Sequence, residues 1–257
     1  MALTNDASVI RSILETDRPW SIYALGDLAP RHFRHCEWHV VSRPAPALIL
    51  LYRAFVPPVL FALGVPAALE VLLGELENIP EMYLHVRPDA LPLIQRSFRI
   101  RAEKAMWRMI LAPGQFRPAE FANVAFLSLA DLPALQHLYL DGSAAGEAPD
   151  FFSPSMLEEG VYCGVWEARE LIAAAGTHLF VPDEGVGAIG NVYTRRDRRG
   201  RGLARFATSA VAKELLRREV RTVALNVSQG NLPAIRVYER LGFVHYCDFR
   251  EGLAVRA

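Results

Sequence analysis

The run Arg199-Gly200-Arg201-Gly202-Leu203-Ala204 sets two glycines among arginines at the head of a helical pattern. Glycine reaches backbone angles closed to other residues, so successive N–H groups in such a run can converge on one anion. A helix opening at Gly202 adds its unpaired first-turn amides and the positive end of its dipole. The chemistry this implies is capture of a phosphate or diphosphate; the plainer alternative is a strand-to-helix turn with a solvated basic face. Other nucleotide fingerprints fit poorly. The third glycine of G-x-G-x-x-G would fall at Arg205, and no G-K-[ST] follows. Downstream, Asn231 and Tyr238 precede Leu241-Gly242-Phe243 and share one helix face two turns apart, with the small Ala234 between them. Asn231 suits a helix cap, alone or together with a ligand contact. Tyr238 is either a core aromatic or a phenol beside a ligand.

Regular elements must hold these residues. From Gly202 to Arg218, Leu203, Phe206, Ala207, Ala210, Val211 and Leu215 recur at helical spacing, which predicts an amphipathic helix on a sheet. Val186 to Thr194 reads as the strand before it. Val161 to Glu167 and Leu171 to Val181 read as a hairpin, and Thr222 to Val227 as a buried strand. Leu232 to Leu241 reads as a helix stopped by Gly242, and Phe243 to Phe249 as a last strand. Phe121 to Leu129 is expected to be a strand, and Leu132 to Leu140 a helix opened by Asp131 with Pro133 in its first turn. Ala112 to Glu120, with Pro113-Gly114 and Pro118, reads as a linker. The expected domains are therefore 1–111 and 121–257, joined by 112–120. Alternating strand and helix signals imply α/β or α+β layers.

Length and composition agree with two compact halves, since 257 residues exceed the roughly 150 expected of one domain. Apolar residues make up 52% and charged residues 22%, which argues against disorder. Lys+Arg (28) balances Asp+Glu (28), so any basic function is local. Six arginines crowd between Arg195 and Arg205, yet Tyr193 is the one aromatic near them, which disfavours a nucleic-acid partner. Ala45 to Leu73, the most apolar stretch, is broken by Arg53, Pro57-Pro58, Gly64 and Pro66. These breaks leave less than the roughly 20 residues of a bilayer span, so two strands and a helix are expected there and no membrane contact. Cys36, Cys163 and Cys247 are scattered and odd in number, which suits a reduced, cytoplasmic setting without a metal site. Met1 to Arg11 carries no targeting pattern.

The pattern Arg199-x-x-Gly202-x-Ala204, with Asn231, Tyr238 and Leu241-Gly242-Phe243, resembles the GNAT superfamily of acyl-CoA-dependent N-acyltransferases. The resemblance covers about 100 residues, roughly Val161 to Phe249. A weak internal repeat extends it. At an offset of 141, Tyr83-Leu84-His85-Val86 falls on Ala224-Leu225-Asn226-Val227, and Leu91-Pro92-Leu93-Ile94 on Leu232-Pro233-Ala234-Ile235. Ala90 and Ser97 take the places of Asn231 and Tyr238, and Gly64-Val65-Pro66 replaces the arginine-glycine turn, so the first copy has lost its cradle. Tandem architecture of this kind is known in branches similar to glycine N-acyltransferases. The resemblance implies two GNAT-like domains, each a mixed, mostly antiparallel twisted sheet flanked by helices, packed against each other within the chain.

It further implies acetyl-CoA as cosubstrate, no metal, and a small-molecule amine as acceptor. Val192, Tyr193 and Thr194 would lie on the splayed fourth strand, pairing with pantetheine and polarising the thioester carbonyl. Arg199, Gly200, Arg201, Gly202, Leu203, Ala204 and Arg205 would hold the diphosphate, and Asn231 would contact the cofactor. Tyr238 would protonate the departing thiolate. Many relatives place a Glu base at the position of Asn226, and an amide cannot do that work. His178 is a candidate base because its ordinary pKa lies near neutrality, and a structural histidine is the alternative. The loop Asp141 to Phe152, with Asp141, Glu147, Asp150, Phe151 and Phe152, falls where acceptors bind in the family, or is simply solvated. The expected function is an acetyltransferase; the alternative is a CoA-binding sensor or scaffold without turnover.

Overall fold

The computed structural model describes residues 2–257 except 44, 75, 77, 78, 113, 144 and 150. It divides into two units, one of Met1–Arg108, Ser228–Gly230 and Tyr246–Ala257, the other of Met109–Val227 and Asn231–His245. The division follows the strands rather than the proline-rich segment, and the C-terminal strand is shared out at Tyr246.

In chain order the first unit begins β1 (Ala2–Leu3), α1 (Ala7–Leu14), α2 (Ile22–Gly26), α3 (Pro30–Phe33), β2 (Cys36–Val41), β3 (Ala47–Tyr52) and β4 (Val59–Leu63). It continues through α4 (Pro66–Leu73), β5 (Glu81–Val86) and α5 (Leu91–Ile94) into β6 (Phe98–Leu111). The second unit supplies β7 (Val124–Phe126), α6 (Leu132–Ser143), α7 (Pro154–Glu159), β8 (Cys163–Glu167), β9 (Glu170–Val181) and β10 (Val186–Thr194). Then come α8 (Leu203–Arg217), β11 (Thr222–Ser228), α9 (Leu232–Leu241) and β12 (Phe243–Arg256), whose later residues belong to the first unit.

In each unit the strands pair mostly antiparallel. Within the first unit β1, β2, β3 and β4 pair antiparallel in sequence, β4 pairs parallel with β5, and β5 pairs antiparallel with β12. In the second unit β7 to β10 pair antiparallel and β10 pairs parallel with β11. Each parallel pair brackets one helix, β4–α4–β5 and β10–α8–β11, because parallel neighbours need a crossover. The repeat at offset 141 lands on corresponding strands: Tyr83 pairs with Val59, and Ala224 with Ala188.

The core of the first unit gathers Ile49, Leu51, Leu60, Leu69, Leu72, Leu84 and Phe98. In the second unit Leu135, Leu138, Tyr139, Leu157, Tyr162 and Tyr193 form one cluster. Helix α8 buries Leu203, Ala207, Val211, Ala212 and Leu215 against β8, β9 and β10. Each large side chain buried there contributes about 1.5–3 kcal/mol.

Three expectations are corrected. The strand expected over 121–129 shrinks to β7, because the Asp131 carboxylate accepts from Ser128 N (2.8 Å) and Oγ (3.0 Å) and turns the chain into a 3-10 turn at Leu129–Asp131. The last strand runs on to Arg256, where β5 continues to offer partners. The segment 112–120 is a strap packed on the second unit: Arg117 N donates to Leu241 O (3.0 Å) and Ala119 N to Ser209 Oγ (2.8 Å). Pro113 lies outside the described residues. Gly242, at φ +98°, lets the strap pass, since a Cβ there would stand 1.9 Å from Gln115 O. Among the described residues no helix is long and apolar enough to cross a membrane, and no group of three His, Cys, Asp or Glu could hold a metal ion.

Candidate active site

Strands β10 and β11 pair only from Val186↔Thr222 to Ile189↔Leu225. From Gly190 and Asn226 onward they part, and the cause lies in β10. Its ladder with β9 steps from Gly190↔Gly176 to Tyr193↔Ala174, leaving a bulge that holds Asn191 and Val192. Asn191 takes φ +52°, a left-handed angle that asparagine tolerates better than most residues. Such a backbone costs about 1–3 kcal/mol and needs support. Asn191 is buried, its O accepts from Tyr139 Oη (2.8 Å), and its Nδ2 donates to Tyr162 Oη (2.7 Å). Its Oδ1 lies 2.8 Å from His178 Nε2. With Nδ2 committed to Tyr162, Oδ1 is the acceptor, so His178 carries its proton on Nε2.

Beyond the fork the chain enters a 3-10 turn at Arg196–Arg198, then Gly200 (φ +77°) and Gly202 (φ +76°) in left-handed angles. Gly202 is the N-cap of α8 and no side chain caps that helix. Among the described residues, no N–H from Gly200 through Arg205 donates a hydrogen bond. The side chains of Arg199 and Arg201, by contrast, are engaged. Arg199 donates to Glu147 (2.7 Å) and lies over the Tyr193 ring, and Arg201 donates to Glu167 (2.9 Å). The anion-binding capacity of this turn therefore resides in its main chain and in Arg205, whose Nε has no partner among the described residues.

Helix α9 follows β11 and packs against α8. Asn231 caps it, accepting from Ala234 N (3.2 Å), and its side chain is exposed. Tyr238 is buried against Phe243, which pushes its phenol up to about 12. The Tyr238 hydroxyl makes no hydrogen bond among the described residues. At the head of the fork Asn226 Oδ1 is fully buried without a partner, as are Thr194 Oγ1 on β10 and Arg205 Nε on α8.

These features meet three comparisons. Residues 129–243 match the model of the acetyltransferase (GNAT) family. A mycothiol acetyltransferase of Geodermatophilus obscurus is 34% identical over 104 residues, 39% of this chain; the chain spans about a third (32%) of that relative. Among solved structures, a putative GNAT acetyltransferase from Novosphingobium aromaticivorans superposes with TM-score 0.63 at 21% identity, covering 94% of this chain and 100% of that one. A Drosophila protein gives TM-score 0.70 at 14% identity, covering 99% and 97%. A tandem GNAT protein from the clavulanic acid biosynthesis pathway gives 0.60 at 15% identity, covering 99% and 97%. At these identities the structures show the fold: the chain has the architecture of GNAT proteins, tandem ones included.

Within the matched residues the acids of the 141–152 loop contact the arginine turn. Asp141 accepts from Arg196 N (3.0 Å) and from Tyr193 Oη (2.8 Å), and these bonds, the Arg196 one first, hold its carboxyl below the usual range. Glu147 accepts from Arg199 and Arg196 and is likewise lowered, first by Arg199. Both acids tether the arginine turn, each through a single carboxylate oxygen. Phe152 packs edge-on against Tyr139 and Tyr162, whereas Phe151 is exposed; Asp150 lies outside the described residues. Sequence reading passed over Asn191, Tyr139 and Tyr162. The signal was an asparagine inside an apolar strand, a residue that strands disfavour and bulges accept.

Proposed function

We propose that the chain is an N-acetyltransferase that moves an acetyl group from acetyl-CoA to the primary amine of a small molecule or amino acid by direct attack. The observation that carries this reading is the fork between β10 and β11 leading onto uncapped amides at the head of α8. The turn from Arg199 through Arg205 would hold the diphosphate, and the free edge of Val192, Tyr193 and Thr194 would pair with pantetheine. Val192, partnered by neither neighbouring strand, is the site for an oxyanion donor. Asn231 keeps an exposed amide beside its cap. In the reaction the amine nitrogen bonds to the carbonyl carbon and the C–S bond breaks. Tyr238 gives its proton to the sulfur and regains one shed by the nitrogen, through His178 or water. Similarity to a mycothiol acetyltransferase favours acetyl as the acyl group and a small acceptor. The first unit, with its helix one two-residue turn after β4, is a degenerate copy without a cradle.

A second reading, a CoA-binding sensor without turnover, draws on Asn226 standing where the family resemblance implies a Glu in many members. Thiol release from acetyl-CoA across a panel of primary amines decides between them. Release above the hydrolysis background with at least one amine is expected. CoA binding with no release from any amine would make the chain a sensor.

A further inference from the structure

The unpartnered oxygen of Asn226 stands at the point where the fork opens. Leu225 is the last residue of β11 paired with β10, and Asn226 is the next. Its Oδ1 is fully buried and no protein donor reaches it, a loss that a folded protein offsets with a water or a ligand that supplies the donor. Opposite, Gly190 has no side chain, and the His178 ring covers it so closely that a Cβ there would stand 2.4 Å from the ring. The amide is thus one wall of the fork head, with an imidazole over the neighbouring strand.

We propose that Asn226 Oδ1 accepts a hydrogen bond from the attacking nitrogen of the acceptor, and that this selects amines uncharged at working pH. The proposal rests on the acyltransfer reading above. An amide oxygen aligns an N–H and so points the nitrogen lone pair at the thioester carbon. It neither removes a proton nor offsets a positive charge, and an ammonium drawn into a buried site against a neutral amide is strongly disfavoured. The acids Asp141 and Glu147 bond to the arginine turn, and neither donates to or pairs with Asn226. The acceptor class is therefore the weakly basic amine, such as an aromatic amine or an amine beside an electron-withdrawing group.

The test uses the full chain and two matched pairs of probes, trifluoroethylamine with ethylamine and aniline with benzylamine. Each amine is titrated into the CoA complex of wild type, Asn226→Leu and Asn226→Ala near pH 7.5. Expected is tighter binding of the weakly basic member of a pair by wild type. Both variants should lose about tenfold in amine affinity, the value of one hydrogen bond to a buried acceptor, while CoA affinity stays within about twofold. Equal amine affinity in wild type and variants overturns the proposal. So does a loss of CoA affinity in place of amine affinity, which would make pantetheine the donor. Preference for the charged member of each pair overturns the selectivity. Binding is read apart from turnover, so a chain that binds amines through Asn226 yet releases no thiol fails the acyltransfer reading and not this one.

Discussion

Tyr238 acts as an acid in this site only if it holds its proton, and its surroundings see to that. Burial pushes the phenol up to about 12, so it remains neutral throughout the range in which an amine acceptor can be tested. Tyr238→Phe keeps the ring packed against Phe243 and removes only the donor. The expected result is a fall in kcat of about a hundredfold, the usual worth of a positioned acid, with CoA affinity within about twofold. Stopped-flow or steady-state thiol release, with calorimetry for CoA, checks both. Because the folded pKa is raised, wild-type kcat should show no basic limb from Tyr238 until pH approaches 12. At the same scale, Gly200 has open space around its missing Cβ, so Gly200→Ala meets no clash, only the strain of φ +77°. That strain is about 1–2 kcal/mol. If the turn relaxes to relieve it, its amides diverge. CoA affinity should drop several-fold with little change in Tm, and unchanged affinity would place the diphosphate elsewhere.

Helix α8 was legible almost to the residue, and so were α9, β10 and the hairpin of β8 and β9, because their apolar spacing and glycine stops are local signals. What was not legible depends on partners distant in sequence. β12 extends because β5 lies beside it, the strap at 112–120 is fixed by Leu241 and Ser209, and the fork exists because Tyr139 and Tyr162 secure Asn191. The site residues were legible as types, whereas the tethering of the arginine turn by Asp141 and Glu147 was not. Helix α8 also carries a test of its own. Glu214, nearly buried, accepts from Arg217 and Arg218 at 2.7 Å, and the Arg217 bond chiefly draws its carboxyl down to about 2. A carboxyl lowered in the folded state stabilises above its unfolded pKa near 4.5, and that gain is lost as pH falls toward 2. Glu214→Gln should therefore lower Tm at neutral pH, and the gap from wild type should close between about pH 4.5 and 2. A gap constant with pH would mean that the variant acts through packing.

The two units are built on the same βαβ plan, yet only the second has a fork that leads onto uncapped amides. In the second, pairing of β10 with β11 stops at Leu225; in the first, pairing of β4 with β5 runs one step further by the offset of 141, to Phe61↔His85, where His85 corresponds to Asn226. The space past that pair is filled. Trp20, fully buried, stacks on His85 (ring centroids 5.1 Å), packs on Phe61 and Phe249, and donates from Nε1 to Ala62 O at 3.0 Å. It thereby takes the strand carbonyl that an open fork would offer to pantetheine. Nor does an anion seat follow: only Gly64 and Val65 separate β4 from α4, and Gly64 is pressed so close to Ala47 that a Cβ would stand 2.4 Å from its Cβ. The expected stoichiometry is one CoA per chain, read by calorimetry. Trp20→Ala removes the filling residue at a cost of about 3–5 kcal/mol, so a marked fall in Tm is expected. The stoichiometry should nonetheless stay at one, because emptying the fork does not supply amides to hold the diphosphate. A ratio near two in wild type would show that the first unit binds after all, and a rise from one to two in the variant would show that Trp20 alone kept the cofactor out.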